Sequence, residues 1–300
     1  MRQPSETKRF TLLYILGSGH CGSTLLDMLL NGHSQIAGMG ELMSLRRYIV
    51  LKGTELTQRR PGDWQEVLTN VLTTKFWKQV RQCFENCCGT PFSSLVDSCS
   101  HPKFKLLIRK WTDDDIKKHV LPYYILLSCI HETTGADIIT DSSKFPHRLY
   151  LLQRSGFFKV KVIHLIRDGR GVTNSYYRKY GNFKVALQRW MYPNIQSIYL
   201  RRLFSRKDWT VVRYEDLATN PEKTLIKVCS FLNTEFEPRM LSFRSTPYLG
   251  VGGNRMREEQ SHEDIFLDEN WKKELPWNYR LAFALTAGWL NRFYGYGVLL

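Results

Sequence analysis

The chain of 300 residues contains no apolar run that approaches the roughly 18 residues a membrane-spanning helix needs. Its longest, Val120 to Ile130, is broken by Pro122 and reads as a buried helix. Lys8 and Arg9 ahead of Phe10–Leu16 imitate the start of a secretory leader, but that stretch serves better as the first strand of a strand–loop–helix unit. Seven cysteines, an odd number scattered along a long chain, lack the pattern of a disulfide framework and point to free thiols in a reducing compartment. Cys83-x3-Cys87-Cys88 is the sole cluster, and no paired histidine or second cysteine pair completes a metal site. The expectation is a soluble, cytoplasmic protein without a metal. Acid is also scarce: 28 Asp+Glu face 43 Lys+Arg, which leaves a net charge of +15 with histidine neutral. Such a surplus points to an anionic partner, whether nucleic acid, membrane phosphate or a multiply charged small ligand. With 43% hydrophobic and 24% charged residues, the chain has the apolar content to bury a core.

Short β-type runs alternate with longer helical patterns. Thr11–Leu16, Asp137–Thr140, Lys159–Ile166 and Trp209–Arg213 each end in a polar or glycine-rich turn. Between them, Asp63 and Glu66 form a capping box ahead of a helix over Trp64–Phe84, with Val67, Leu68, Val71, Leu72 and Val80 at helical spacing. Thr112 and Asp115 open a second helix that runs to about Thr134 before Gly135. Asn220-Pro221 caps a third, whose buried stripe is Leu225, Val228, Phe231 and Leu232. Strands separated by helices predict an α/β fold, a mainly parallel sheet with helices on both faces. Ligands of such sheets bind beyond the carboxyl ends of the strands.

Two strand ends carry the chemistry. After the first strand, Gly17-Ser18-Gly19-His20-Cys21-Gly22-Ser23-Thr24 has P-loop spacing, Gly17-x4-Gly22, but Ser23 stands where the P-loop lysine belongs. Backbone N–H groups of Gly19 to Thr24, the positive end of the next helix and two hydroxyls can still cradle an anion. What is missing is the cation that reaches the β- and γ-phosphates of ATP. The other reading is an ordinary strand-to-helix turn with a serine cap. At the second turn, Arg167 ends a strand and Ser175 lies eight positions on, in Arg167-Asp168-Gly169-Arg170-Gly171-Val172-Thr173-Asn174-Ser175. A forked guanidinium and a hydroxyl can meet around one phosphate. An Arg–Asp surface pair beside a helix-start hydroxyl is the alternative.

Together these segments resemble the two nucleotide-binding signatures of sulfotransferases that use 3′-phosphoadenosine-5′-phosphosulfate (PAPS). The first is similar to the loop that binds the 5′-phosphosulfate. The second is similar to the Arg-x7-Ser element that holds the 3′-phosphate, which gives Arg167 and Ser175 that role. Ile166-Arg167-Asp168-Gly169-Arg170 resembles tyrosylprotein and carbohydrate-type members, and bacterial small-molecule sulfotransferases are similar in motif. Tyr214-Glu215-Asp216-Leu217 with Asn220-Pro221-Glu222 resembles the family's segment after a late strand. Gly252-Gly253-Asn254 with Arg257, then Trp271 and Leu275, resembles the loop that closes over the nucleotide. The resemblance runs from about residue 11 to 275 and implies one P-loop-like domain over residues 1–300. Residues 45–135 match no family motif and are expected to be a helical acceptor-binding insertion.

The resemblance implies in-line transfer of a sulfuryl group from PAPS, as co-substrate, to an acceptor hydroxyl or nitrogen, with release of PAP and no metal. Glu41, in Gly38-Met39-Gly40-Glu41-Leu42, falls near the spacing of the family's catalytic glutamate, with one extra residue. Its other reading is a first-turn acid favouring the dipole of a helix over Glu41–Val50. Lys144, after Asp141-Ser142-Ser143, resembles the lysine that contacts the transferring group, and Asp141 is the alternative base. His20 stands where many members carry Lys or Arg, and would serve either as an imidazolium or as a neutral donor. The competing functions are a P-loop kinase or NTPase and a basic nucleic-acid-binding protein. The first lacks its lysine; the second lacks zinc-finger spacing or an RNA-binding aromatic signature. The expected acceptor is a small molecule.

Overall fold

In the computed structural model, residues 10–50, 73–99, 111–254 and 265–298 are described. The first strand, β1 (Thr11–Gly17), is buried along nearly its whole length, as a central parallel strand must be. Five strands line up in the order β2-β3-β1-β4-β5, every pair parallel, with β2 at Ile36–Ala37, β3 at Ile138–Lys144, β4 at Lys159–Ile166 and β5 at Trp209–Arg213. Strand alternation splits the core. Leu12, Tyr14 and Leu16 face one helical layer, while Leu13 and Ile15 face the other. On the second face sit α1 (Ser23–Asn31) and α10 (Pro221–Leu232), whose Leu225, Val228 and Leu232 are buried as their spacing predicts.

The first face is covered by helices of residues 45–135: α2 (Leu45–Val50), α3 (Lys75–Cys88), α4 (Leu95–Ser98) and α5 (Asp113–Thr134). In α5 the expected capping box is present: Thr112 Oγ1 accepts from the Asp115 N–H at 3.2 Å, and the Thr112 N–H donates to Asp115 Oδ2 at 2.9 Å. The helix ends at left-handed Gly135 and keeps Pro122 inside it. The box at Asp63 and Glu66, and the positions Val67 to Leu72, lie outside the described residues. The described helix there, α3, begins at Lys75, where Thr74 caps it by accepting from the Trp77 N–H at 3.2 Å. Beyond β3 come α6 (Pro146–Ser155), α7 (Gly169–Tyr180) and α8 (Phe183–Leu200). After β5 follow α9 (Tyr214–Thr219), then α11 (Trp271–Glu274) and α12 (Trp277–Phe293).

Three expectations are corrected. The strand expected to stop at Thr140 continues to Lys144, because Asp141 to Ser143 find partners inside the fold and Lys144 pairs with Leu16 across a register shift. Asn220 precedes α10 but gives it no side-chain cap; its amide donates to Thr219 Oγ1 at 3.2 Å instead. The cysteines are not all free thiols: Cys83 on α3 is bonded to Cys129 on α5, with Cα atoms 5.7 Å apart across 46 positions of sequence. Helix packing brings them together, which no local spacing reveals, and the bond removes the cysteine argument for a reducing compartment. Cys87 and Cys88 are free. Among the described residues, no helix is long and apolar enough to cross a membrane.

Candidate active site

The site forms where β1, β3 and β4 end side by side. At the first turn Gly22 has φ +91°, and a Cβ there would strike the Tyr214 ring at 2.5 Å, so only glycine lets the chain enter α1 at this angle. No side chain caps α1, and its first turn holds no acid. The positive end of the helix is left open to an anion. Ser23 and Thr24 are its first two residues, both buried. Cys21 is fully buried, and burial pushes its thiol pKa up, so its contribution to the turn is its backbone.

Lys144 reaches into the first turn from the neighbouring strand. Its backbone is left-handed at φ +71°. That turns the ammonium back across the strand end, where it donates to Ser23 Oγ at 3.2 Å and to the Ser142 carbonyl at 3.1 Å. Its third partner is the Glu41 carboxylate, in an ion pair. Burial opposes the charged amine, yet the Glu41 carboxylate holds the Lys144 pKa above its ordinary value. Glu41 is not a first-turn acid, since a 3-10 turn, Leu42–Ser44, precedes α2 and no cap bond forms from the Glu41 side chain. The Glu41 side chain keeps 27% of its surface exposed, against 14% for Lys144, so the carboxylate is reachable from outside the pair. Its backbone is clamped. The Glu41 N–H donates to the Val251 carbonyl at 2.6 Å, and the Gly40 N–H to buried Asp27 at 2.8 Å.

Asp141 is in a different position. It is fully buried, accepts from Tyr123 Oη at 2.6 Å and from the Ser143 N–H at 2.9 Å, and lies 3.6 Å from Arg148 Nε. It buttresses the strand end that carries Lys144.

At the second turn Arg167 donates to the His20 carbonyl at 2.9 Å, and to the carbonyl and Oδ2 of Asp268, each at 2.8 Å. Its guanidinium lies 4.3 Å from the Tyr214 ring centroid. Gly171 leaves room for it: a Cβ there would lie 3.4 Å from Arg167 Nε and 3.3 Å from Trp271. Ser175 donates to the Gly171 carbonyl at 3.0 Å, one turn back along α7. The turn is held from below. Glu215 accepts the Asp168 N–H at 3.0 Å, Asn291 accepts the Gly169 N–H at 2.8 Å, and Asp168 pairs with Arg170 at 2.7 Å.

His20 lies edge-on to Tyr176 with ring centroids 4.6 Å apart. Burial first, then the charges of Lys179, Arg167 and Lys144, lower its pKa to about 4, so at neutral pH it is an uncharged imidazole. Gly253 and Asn254 come back onto α1, where the Asn254 N–H donates to Thr24 Oγ1 at 3.0 Å. Arg257 lies outside the described residues. Three participants escaped sequence reasoning. Tyr214 has a ring that touches both turns, and its only signal was the Tyr214-Glu215-Asp216 segment. Asp268 on Arg167, and Asp27 beneath Gly40, gave no sequence signal at all.

A parallel five-strand sheet flanked by helices, with a glycine-rich turn leading from its central strand into an uncapped helix start, is a P-loop-like α/β fold. Residues 13–238 match the sulfotransferase family, and the chain belongs to it. The fold is shared with the sulfotransferase domain of the Synechococcus PCC 7002 olefin synthase, at TM-score 0.56 and 20% identity, with 90% of each chain covered. The sulfotransferase domain from the curacin biosynthetic pathway is alike at TM-score 0.52 and 21% identity, covering 91% of this chain and 92% of that one. A Mycobacterium tuberculosis H37Rv sulfotransferase, STF1, gives TM-score 0.50 and 13% identity over 79% and 71%. No curated protein sequence matches the chain.

Proposed function

We propose that this sulfotransferase moves the sulfuryl group of PAPS to a hydroxyl or nitrogen of a small-molecule acceptor. The observation that carries the reading is the Lys144 ammonium, 3.2 Å from Ser23 Oγ at the open start of α1 and paired with Glu41. One cation thus spans the place for a leaving phosphate and the place for a base. The sulfur–oxygen bond to the 5′-phosphate breaks as the acceptor atom bonds to sulfur, and the acceptor proton passes to Glu41. The electron pair left on the phosphate is met by Lys144, the N–H groups of Gly19 to Thr24, the Ser23 and Thr24 hydroxyls, and neutral His20 as a donor. Arg167 and Ser175 would take the 3′-phosphate, with Asp268 yielding the guanidinium. Gly253, Asn254 and Arg257 would close over the nucleotide. Asp141 is left out of proton transfer, since its carboxylate is enclosed by Tyr123, Ser143 and Arg148. Residues 45–135 would shape the acceptor pocket within a single domain.

The test is PAP binding by calorimetry together with turnover of labelled PAPS over an acceptor panel. Arg167→Ala should weaken PAP binding by about tenfold to a hundredfold. Glu41→Gln should bind PAP normally while kcat falls about 10²–10⁴-fold. Undiminished turnover in Glu41→Gln would remove it as the base, and preference for ATP with Mg²⁺ over PAP would restore the kinase reading.

A further inference from the structure

The cysteine cluster Cys83-x3-Cys87-Cys88 has no place in the donor and acceptor chemistry proposed above, and the fold adds to it a sulfur from another helix. Cys83 and Cys87 lie one turn apart on α3, so they share a helix face. Across from them on α5 stands Cys129. The Sγ atoms of Cys83, Cys87 and Cys129 all lie within 4.8 Å of one another. Two of the three are bonded to each other, which leaves the cluster one thiol, too few to hold a metal ion. Exchange of the bond is the chemistry that the three sulfurs share. Burial grades them: Cys129 is fully buried, Cys83 half-buried and Cys87 exposed. A reagent arriving from solvent therefore meets Cys87 first. Glu132, one turn beyond Cys129 on α5, has its Oε2 3.6 Å from Cys83 Sγ.

We propose that Cys87 is the exchange thiol of a redox site, through which the Cys83–Cys129 bond reacts with small thiols and disulfides of the glutathione class. In the first step Cys87 gives its proton to solvent and the thiolate attacks Cys129 Sγ. A Cys87–Cys129 bond forms as the Cys83–Cys129 bond breaks. The electron pair leaves on Cys83, which takes up a proton, so there is no net oxidation. Attack on Cys83 is the poorer course. Cβ atoms four positions apart on a helix are about 5–6 Å apart, whereas a disulfide needs about 3.5–4.5 Å. The freed Cys83 thiol has an acceptor at hand in the Glu132 carboxylate. The bond now ends at an exposed sulfur. A glutathione-class thiolate attacks Cys87 Sγ to form a mixed disulfide and expels the Cys129 thiolate, which is protonated. A second such thiolate attacks the outer sulfur of the mixed disulfide, leaves as the small-molecule disulfide, and returns the Cys87 thiol. Run backwards, the same steps install the bond. The inference is independent of the sulfuryl-transfer reading.

Reduction of the full oxidised chain by millimolar glutathione, sampled by acid quench, alkylation and peptide mass spectrometry, tests it. The wild type should pass through a species with Cys87 bonded to Cys129 and Cys83 alkylated. Cys87→Ser should lose the Cys83–Cys129 bond about tenfold more slowly, since glutathione must then reach a buried or half-buried sulfur. Cys88→Ser removes the neighbouring free thiol and should leave the wild-type rate. Circular dichroism melting of the oxidised proteins should find both variants folded, because serine is close to cysteine in size. Three results would overturn the inference: a wild-type rate in Cys87→Ser, no Cys87–Cys129 species at any time, or equal slowing by Cys88→Ser.

Discussion

Arg167 is held by an anion of its own chain. The Asp268 carboxylate occupies the guanidinium fork, and although burial works against the charged acid, the Arg167 hydrogen bond and charge hold its pKa below the ordinary value. A ligand phosphate at Arg167 must therefore displace one anion with another. The pair is partly solvated, so its hold is modest, and Asp268→Ala should tighten PAP binding about three- to fivefold in a calorimetric titration. Unchanged or weaker binding would mean that Asp268 orients the arginine rather than competing for it. His20 makes a second prediction at this scale. Its imidazole signals, followed by NMR, should titrate near pH 4 rather than near 6.5, because the buried ring is surrounded by Lys179, Arg167, Lys144 and Arg189. A charged His20 at neutral pH would return it to the role of a fixed cation.

At the scale of elements, Asp27 joins four segments. From the buried side of α1 it accepts from the Gly40 N–H at 2.8 Å and from the hydroxyls of Thr140 on β3 and Tyr248 ahead of the returning loop. Burial raises its pKa from 3.8 to about 6 despite those bonds. Between these values the folded protein keeps a proton that the unfolded chain has released. The stabilisation is therefore full below about pH 4 and is lost as the pH rises through about 6, a difference of about 3 kcal/mol from this group. Asp27→Asn should flatten that part of the stability profile, measured by urea unfolding at a series of pH values. The Cys83–Cys129 bond acts between α3 and α5, and α3 in turn reaches the returning loop through Trp77 Nε1, which donates to the Leu249 carbonyl at 3.0 Å. Closing that loop of chain contributes up to about 4 kcal/mol on the loop-entropy account. Reduction, or Cys129→Ser, should lower the melting temperature by several degrees.

Over the whole molecule the charge of +15 should speed the encounter with a multiply anionic ligand. Raising the ionic strength should then slow PAP association in stopped flow more than it speeds dissociation; equal effects on both rates would confine the electrostatics to the contacts. The sequence by itself determined what depends on neighbours along the chain: four of the five strands from their apolar runs, the capping box of α5, and the two turns at Gly17–Thr24 and Arg167–Ser175. It also determined that the first turn lacked a lysine. Only the tertiary structure decided which cation reaches that turn. Lys144 reaches Ser23 because β3 lies beside β1 and its last residue turns left-handed, a contact across 121 positions that no local pattern encodes. The same holds for Asp268 on Arg167, for Cys129 beside Cys83, and for the separation of Glu41 from Asp141. The two carboxylates that the sequence offers as base and alternative part company in the fold: Asp141 is enclosed by hydrogen-bond donors, and Glu41 is paired with the lysine at an accessible edge. Desolvation and long-range pairing are properties of the packed chain, so these roles emerge only when the sheet has formed.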